Sequence, residues 1–543
     1  MAHTQGGHRG QDNDSNYGRF GRMFPDIKGP VFDRALMARL GKTMIKDDKG
    51  QVFNHPDDDE NAPGTDGKGG LPAGYTYFGQ FVDHDITLDL TGLGEQEQDS
   101  GAIENFRSAR LDLDCVYAHG IGGSRFLYDA DAYTFQMSKS NITPTKTGAV
   151  QTKLDLFRAP TGTALIGDHR NDENVIVSQI QQAFTQFHNK LMKDKSIIDG
   201  SVTGGERFRA AARIVRHHYQ WVVLKDYLKR VCDTDVYNSM VPAVMGVQPS
   251  LKYYHDNDAK WPYMPIEFSG AAYRFGHSMV RPSYALNAEM GTGPAKLPGR
   301  TRIPFFDVAP GGEDLRGFKP TAPKRGIDWG YLLKIPGTPP NAGFPTGDDL
   351  KFLWQPAYRI DSLLVDPLSQ LPDHMSRLDP NERSLAFLNL LRGAMLQLPT
   401  AEQVASKMVL PTGGIGAFPL MDPENIWSFG SRFMTPAKLT NDDKARIKER
   451  KAIGNALGGQ TPLWYYILRE AEYYQTANSS DIFGGRKLGP MGSIIVLETF
   501  LALLWLDQSS IMHTAGWRPH AKIKGDVHVA DFQLRDLITY ALT

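Results

Sequence analysis

The sequence is short of cysteine, of net charge and of long apolar runs, and each shortage excludes a class of protein. Its two cysteines, Cys115 and Cys232, stand far apart among 543 residues, which excludes a disulfide framework or a thiolate metal site. The formal net charge is −1, so no electrostatic footprint for nucleic acid is indicated. The longest apolar run, 494–506, is interrupted by Glu498 and Thr499 and is too short to span a bilayer. It predicts a buried helix instead.

The N-terminus also lacks something, namely the apolar stretch of a secretory signal. Residues 1–16 are polar, so we expect a disordered tail, no secretory leader and a cytoplasmic location. The chain as a whole is 41% hydrophobic and 22% charged, which is typical of a globular protein with a large core. Residues 290–349 are rich in glycine and proline and have no regular period, which predicts a long insertion.

What the sequence does contain is a recurring apolar period of 3.6 residues, with few and short strand patterns. This period predicts helices over 75–90, 174–195, 206–231, 265–280, 379–396, 442–456, 462–474 and 493–506. Asn171 or Asp172 is expected to cap the 174–195 helix, and Asp379, Pro380 and Glu382 to begin the 379–396 helix. The predicted fold class is therefore mainly α, a single large helical domain over 17–543 with long loops and little β structure.

The 75–90 helix carries two separate polar features. Gln80, Asp83 and His84 fall on one narrow face, opposite an apolar back. Asp85 lies in the middle of that back, where a carboxylate must be paired or must bind a metal, since a bare buried charge is costly.

Three further segments contain residues that could act in catalysis or binding, and each also has a purely structural interpretation. Arg170 and Glu173 are i, i+3 neighbours at the start of a helix, which also describes a capped helix with a local ion pair. Arg274 and His277 share a helical face beside a glycine, although a lone helical histidine is more often a core residue. Asn389 lies on an inward stripe, where its amide could serve an imidazole or another helix.

Together, in this order and at these separations, the segments resemble the animal-type haem peroxidases of the peroxidase–cyclooxygenase superfamily. The resemblance covers roughly 75–409, with a weaker tail to residue 543 like that of bacterial members. It implies a helical haem-peroxidase domain that binds haem b. The roles that it implies are as follows: His84 is the distal acid–base with Gln80 beside it, Arg170 the catalytic arginine, His277 the ligand of the haem iron, Asn389 the acceptor from His277, and Arg274 and Arg392 the partners of the propionates.

The resemblance has implications for other groups in the site. Carboxylates that match Asp83 and Glu173 form ester bonds to haem in the family, whereas Asn174 replaces a methionine, so no sulfonium link is expected. The carboxylate that matches Asp85 binds calcium in many members. The loop that would complete the calcium site is expected between residues 127 and 148, and its alternating Thr, Asp and Ser pattern does not occur there.

The resemblance implies haem peroxidase activity and a role in the response to oxidative stress. The protein would reduce hydrogen peroxide through a ferryl intermediate and then oxidise a small donor, either a halide or an aromatic compound. No nucleic-acid partner and no membrane span are expected, and the oligomeric state stays open.

Three alternatives remain at this point. The first is a fatty-acid dioxygenase on the same fold, although the position of its radical tyrosine, three residues before the iron ligand, holds Arg274, and Tyr273 stands one place earlier. The second is a non-haem metal hydrolase using His84 and Asp85 with His188. The third is a binding or scaffold protein that has kept the fold without turnover.

Overall fold

The computed structural model describes residues 20–45, 70–88, 105–129, 133–138, 142, 150–255, 262–287, 302–306, 314–335, 354–372, 383–411, 418–428, 441–473 and 484–543. The tail predicted at 1–16 lies outside these ranges, and so do the capping residues predicted at Asp379, Pro380 and Glu382.

Helices account for most of the regular structure in the described part of the chain, which confirms the mainly α prediction. In chain order they are α1 Arg34–Thr43, α2 Gly74–Ile86, α3 Asp114–Tyr117, α4 Gly120–Gly123, α5 Val175–Lys193, α6 Gly204–Trp221, α7 Leu228–Val231, α8 Thr234–Met240, α9 Ile266–Gly270, α10 Leu385–Met395, α11 Ala401–Lys407, α12 Pro423–Ile426, α13 Asn441–Ala456, α14 Leu463–Tyr473, α15 Pro490–Leu506, α16 Ala521–Lys524 and α17 Leu534–Leu542. A π-helical segment, Val222–Tyr227, joins α6 to α7.

Shorter elements connect these helices. The 3₁₀ turns are Arg125–Leu127, His169–Asp172, Ala272–Met279, Pro323–Arg325, Trp329–Tyr331, Asp366–Leu368, Ile511–His513 and Val529–Asp531. Strand β1 (Phe20–Gly21) pairs in parallel with β2 (Met264–Pro265), and β3 (Ser283–Tyr284) pairs antiparallel with β4 (Ile303–Pro304).

Several boundaries differ from the predicted ones for local reasons. Helix α2 ends at Ile86 rather than at residue 90, because Thr87 adopts an extended conformation. The side chain of Asn174 caps α5 by accepting from the backbone N–H groups of Ile176 and Val177, so the predicted caps Asn171 and Asp172 are wrong. These two residues belong instead to the preceding 3₁₀ turn. The region 265–280 is the short α9 followed by the 3₁₀ turn Ala272–Met279.

The core is built around α15, which is apolar on all sides and buried through its first four turns, as expected of a central helix. Its one carboxylate, Glu498, is only 1% exposed and accepts hydrogen bonds from the backbone N–H groups of Tyr253 (2.7 Å) and Tyr254 (2.9 Å). The described helices contain none that is long and apolar enough to cross a membrane.

Helix α2 is held on two sides by aromatic contacts. Phe81 stacks on Phe184 of α5 with ring centroids 4.8 Å apart, and Phe78 meets Tyr219 of α6 edge to face. The apolar back predicted for this helix therefore faces α5 and α6, and its polar stripe faces the other way.

The region predicted as an insertion, 290–349, is described at 302–306 and 314–335, and these residues pack into the core. Trp329 and Leu332 are fully buried. The carbonyl of Leu332 accepts a hydrogen bond of 2.9 Å from the backbone N–H of Gly74, at the start of α2. The segment thus supports the N-terminal end of α2.

Gly79 supplies the first test of this packing. A Cβ atom at residue 79 would lie 2.3 Å from the hydroxyl oxygen of buried Tyr227, closer than real contacts allow. We expect Gly79→Ala to lower the free energy of unfolding by about 1–3 kcal/mol, since overpacking outweighs the gain in helix propensity. Urea denaturation measures the change.

The controls use the same substitution. Gly122→Ala places its methyl group in open space and should leave stability nearly unchanged. Adding Tyr227→Phe to Gly79→Ala removes the clashing oxygen and should restore part of the loss. Equal stabilities for all variants would show that the contact does not limit packing at Gly79.

Candidate active site

The polar stripe of α2 forms the first wall of the candidate site. Gln80 and Asp83 are half-buried although their neighbours Phe81 and Val82 are fully buried, and His84 is 5% exposed. A half-buried stripe on a helix whose back is in the core indicates that these side chains line a recess.

Arg170 is fixed to the end of α2 by its own hydrogen bonds. Its Nη2 donates to the carbonyl oxygens of Thr87 (2.6 Å) and His84 (3.1 Å). Its Nη2 and Nε also donate to the two oxygens of Asp168, at 2.7 and 3.1 Å. Nη1 makes no hydrogen bond to the described residues. The arginine is therefore held beside the histidine with one nitrogen left to meet a ligand.

Asp168 holds this arrangement together. It is 1% exposed, caps the turn by accepting from the N–H of Arg170 (2.9 Å), and is paired with Arg107 as well. Burial alone would raise the pKa of Asp168, but Arg170 and then Arg107 lower it well below its ordinary value. The carboxylate stays charged, so its hold on Arg170 persists over the whole working range of pH.

Gln80, Glu173 and Asn174 form a second group on the same wall. The side-chain amide of Gln80 donates to Glu173 and accepts a 3.1 Å hydrogen bond from Asn174. Burial raises the pKa of Glu173 to about 7, against the opposing effect of Arg170. The local Arg170–Glu173 ion pair that the spacing allowed is not formed, because Arg170 pairs with Asp168 instead. Asp83 accepts a hydrogen bond of 3.0 Å from Thr87.

His84 meets a residue that the sequence did not identify as part of a site. Its Nδ1 lies 2.8 Å from Oδ1 of Asn171, which is fully buried. Burial, with the nearby Arg170 cation, lowers the pKa of His84 to about 4, so the ring is neutral near pH 7. The only signal for Asn171 in the sequence was its position next to Arg170.

The second wall combines the turn Ala272–Met279 with α10. Nδ1 of His277 lies 2.9 Å from Nδ2 of Asn389, and Nη1 of Arg274 donates to Oδ1 of Asn389 at 3.1 Å. Burial lowers the pKa of His277 to about 3. The predicted pairing of His277 with Asn389 is present. The Asn389 amide is turned the opposite way from the prediction, with its nitrogen and not its oxygen toward His277. The reason is that the Arg274 guanidinium can only donate and therefore holds the amide oxygen.

A hydrogen bond joins the two walls. The hydroxyl of Tyr273 donates to the carbonyl of Gly79 in α2 across 3.2 Å. On the second wall Gly276, His277 and Arg392 are half-buried, and a Cβ built at Gly276 would meet no atom within 4 Å. Both walls thus present half-buried polar groups beside a common contact.

Asp85 points away from this site, into a separate acidic cluster. It is fully buried, Oδ2 accepts from the N–H of Leu113 at 3.2 Å, and Oδ1 has no hydrogen-bond partner. Carboxylate oxygens of Asp85, Asp112 and Asp114 lie within 4.8 Å of one another. Burial, with the nearby Asp112 carboxylate, raises the pKa of Asp85 to about 7. Among the described residues, the acidic neighbours of Asp85 therefore come from 112–114.

His188 does not join His84 and Asp85, contrary to the non-haem alternative. Its Nε2 lies 3.1 Å from the carbonyl oxygen of Tyr133, which can only accept, so Nδ1 accepts from the hydroxyl of Tyr117 at 3.1 Å. Both ring nitrogens are used within the core. Among the described residues the candidate metal cluster consists of Asp85, Asp112 and Asp114 and contains no histidine.

His188 predicts how stability depends on pH. Burial lowers its pKa to about 4, against an ordinary value of 6.5. Below pH 6.5 His188 is protonated in the unfolded chain but stays neutral in the folded chain. The stabilising contribution of neutral His188 to the free energy of unfolding is therefore lost progressively down to about pH 4. His188→Gln should therefore show a smaller fall in that free energy between pH 7 and pH 5 than the unmodified chain.

Urea titrations at the two pH values measure this difference. His169→Gln is the matched control, because the His169 side chain is 69% exposed and should leave the pH dependence unaltered. An identical fall for His188→Gln and the unmodified chain would contradict the assignment.

Comparison with solved structures shows the class of fold. Peroxidase A from Dictyostelium discoideum superposes with a TM-score of 0.58 at 14% identity, covering 97% of this chain and 94% of that one. The fatty acid alpha-dioxygenase of Arabidopsis thaliana superposes with a TM-score of 0.53 at 14% identity, covering 97% and 76%. The chain thus has the mainly α fold shared by peroxidases and alpha-dioxygenases.

The sequence itself matches a family. Residues 94–306 match the model of the animal haem peroxidase family. The human protein described as probable oxidoreductase PXDNL is 27% identical over 128 residues, which are 23% of this chain and 8% of that protein. Thyroid peroxidase of Rattus norvegicus is 25% identical over 118 residues, or 22% of this chain and 12% of that protein. The matched regions thus span about a tenth of these relatives.

These matches confirm the resemblance predicted from the sequence: residues 94–306 resemble the animal haem peroxidase family, and the chain has a fold like that of peroxidase A.

Proposed function

We propose that this chain is a haem peroxidase that reduces hydrogen peroxide and oxidises a small donor. The observation that carries the proposal is the pairing of two walls. One presents His84 with Arg170, and the other presents His277 with Asn389, and the Tyr273–Gly79 hydrogen bond joins them. The match of residues 94–306 to the animal haem peroxidase family model supports haem as the ligand between them.

The residues on the second wall fit a haem. His277 is the histidine that would hold the iron, and bound haem would supply the one-electron oxidising chemistry. A ring that binds iron through Nε2 must carry its proton on Nδ1 and needs an acceptor there. Oδ1 of Asn389 would become that acceptor if the amide turned and Nη1 of Arg274 moved from it to the propionate proposed for it, with Arg392 as second partner.

The first wall supplies the proton chemistry. Neutral His84 takes a proton from one peroxide oxygen at Nε2 and returns it to the other as that oxygen leaves. The free Nη1 of Arg170 donates to the oxygen that gains negative charge, while Asp168 keeps the guanidinium in place. Gln80 would orient a water or halide. Glu173 and Asp83 are the carboxylates proposed to form esters with haem.

A dioxygenase acting on fatty acids is the second candidate, because alpha-dioxygenases share the fold. Its tyrosine would have to be Tyr273. The Tyr273 hydroxyl is engaged by the carbonyl of Gly79, and its ring stacks on Phe268 with centroids 4.6 Å apart. Peroxidase chemistry is therefore preferred.

A spectrum of the haem-loaded chain before and after peroxide tests the proposal. We expect a haem absorption band that changes on adding peroxide and returns on adding a halide or a phenol. Replacing His277 with Ala should abolish the band or its response, and replacing His84 with Leu should slow the peroxide step by about 10²–10⁴-fold. Tyr273→Phe is the control and should keep peroxide turnover.

Two outcomes decide between the candidates. Oxygen uptake with an unsaturated or saturated fatty acid that disappears in Tyr273→Phe, with no donor oxidation, would favour the dioxygenase. A chain that binds haem without reacting with peroxide or with fatty acid would be a binding protein.

We also propose that the cluster of Asp85, Asp112 and Asp114 binds calcium. Three carboxylates that include an unpaired buried oxygen suit a hard cation with oxygen ligands. Calcium would compensate both the burial of the Asp85 carboxylate and its repulsion by Asp112, which together raise the pKa of Asp85. We expect millimolar calcium to raise the melting temperature above that in a chelator, by several degrees if it exceeds its Kd about 100-fold.

Asp112→Asn should reduce that shift, and Asp26→Asn, on the exposed surface, should not. A melting temperature that does not respond to calcium in the unmodified chain would remove the proposal.

A further inference from the structure

A chain of hydrogen bonds leads from His84 through Asn171 and Gln181 to the backbone carbonyl of Cys115. This carbonyl determines which group is the donor in each bond of the chain. Nε2 of Gln181 donates to the carbonyl oxygen of Cys115 across 3.4 Å, and a carbonyl oxygen can only accept. The nitrogen of this amide therefore faces Cys115. Its oxygen faces Asn171.

The donors and acceptors of Asn171 and His84 follow in the same way. Oε1 of Gln181 accepts from Nδ2 of Asn171 at 2.9 Å, so the oxygen of Asn171 must face His84. That oxygen, Oδ1, lies 2.8 Å from Nδ1 of the ring. An amide oxygen cannot donate, so Nδ1 carries the proton and Nε2 carries the lone pair.

Water has no access to this chain of bonds. Asn171 and Gln181 are both fully buried. Leaving a buried polar group without its partner costs about 1–3 kcal/mol. The opposite tautomer of His84 would set an unprotonated Nδ1 against the Asn171 oxygen, so that two lone pairs would face each other.

Rigid elements hold both amides. Gln181 lies on α5 within a fully buried stretch, and Cys115 lies in α3. Asn171 is part of the 3₁₀ turn that also carries Arg170, and its N–H donates to the carbonyl of Asp168 at 3.1 Å. One turn therefore sets the direction of both the guanidinium and the imidazole.

We infer that Asn171 and Gln181 are positioning residues that hold His84 as the Nδ1–H tautomer, so that its Nε2 meets the peroxide as a base. The inference rests on the proposed peroxidase function for its catalytic consequence, whereas the tautomer itself does not depend on haem. In the reaction, Nε2 gains the proton of the peroxide, the ring becomes an imidazolium with Nδ1 still bonded to Asn171, and the same Nε2 proton leaves with the second oxygen.

The first test reads the tautomer directly. The full chain, prepared without haem and labelled with ¹⁵N in its histidine rings, should give a His84 signal with Nδ1 protonated and Nε2 unprotonated. The signal is assigned by its loss in His84→Gln. In Asn171→Leu we expect the proton to move to Nε2 in part or whole, and in Asn171→Asp, whose carboxylate can only accept, Nδ1 should stay protonated.

The second test separates the peroxide step from the donor step in the haem-loaded chain. Stopped-flow mixing should show the rate constant for peroxide falling about 10–100-fold in Asn171→Leu, as for other partners that orient a functional histidine. The rate constant for the donor should stay within about twofold, since His84 takes no part as a base in that step.

Gln181→Leu gives a second variant should Asn171→Leu fail to fold, and it should show the same pattern more weakly. Gln182→Leu is the matched control. Gln182 is fully buried on the same helix and is bonded to Gln186, away from His84. It should leave both the tautomer and the peroxide step unchanged.

The possible failures can be told apart. A His84 signal with Nε2 protonated in the unmodified chain, or an unchanged tautomer and peroxide rate in both Asn171→Leu and Gln181→Leu, would overturn the inference. A haem-loaded unmodified chain that does not react with peroxide would instead overturn the proposed function, and the haem-free spectra would still decide the tautomer.

Discussion

The candidate site depends on a buried ion cluster, Asp168 between Arg170 and Arg107. An uncompensated carboxylate at 1% exposure would be strongly destabilising, but two guanidiniums and the turn's own N–H satisfy both of its oxygens. Arg170 in turn bonds the last carbonyls of α2, so the cluster ties the 3₁₀ turn to the end of that helix. Removing Asp168 would release the arginine, the turn and the orientation of Asn171 at once.

Helix α2 serves two polar clusters because its successive residues point in different directions. His84 faces the amide of Asn171 and the recess, while Asp85 faces the N–H of Leu113 and two more carboxylates. Cys115, which ends the hydrogen-bond chain from His84, directly follows Asp114 of the acidic cluster. A cation at that cluster and the histidine would therefore be connected through Cys115, Gln181 and Asn171.

Much of this arrangement could be predicted from the sequence, since period and spacing carry it. The polar face of α2, the buried Asp85 and the long α5 each follow from residue types at helical separations, whereas the pairing of His277 with Asn389 is implied only by the family resemblance. The missed features depend on contacts between distant segments. No local pattern links Asp85 to 112–114, and only Asn174's extended backbone shows that it, and not Asn171, caps α5.

Orientation is harder to predict than proximity, and the two asparagines show why. Asn389 and Asn171 each meet a histidine Nδ1 at 2.8–2.9 Å, yet one presents its nitrogen and the other its oxygen. The second hydrogen-bond partner of each asparagine determines which amide atom faces the histidine. Arg274, a donor only, claims the oxygen of Asn389, whereas Gln181, fixed by a backbone acceptor, takes the nitrogen of Asn171. The buried amide of Asn171 is thereby locked, while the amide of Asn389 depends on a half-buried arginine that a negatively charged ligand could draw away. The two walls thus differ: buried amides alone fix the imidazole of His84, whereas the orientation of the Asn389 amide beside His277 depends on Arg274.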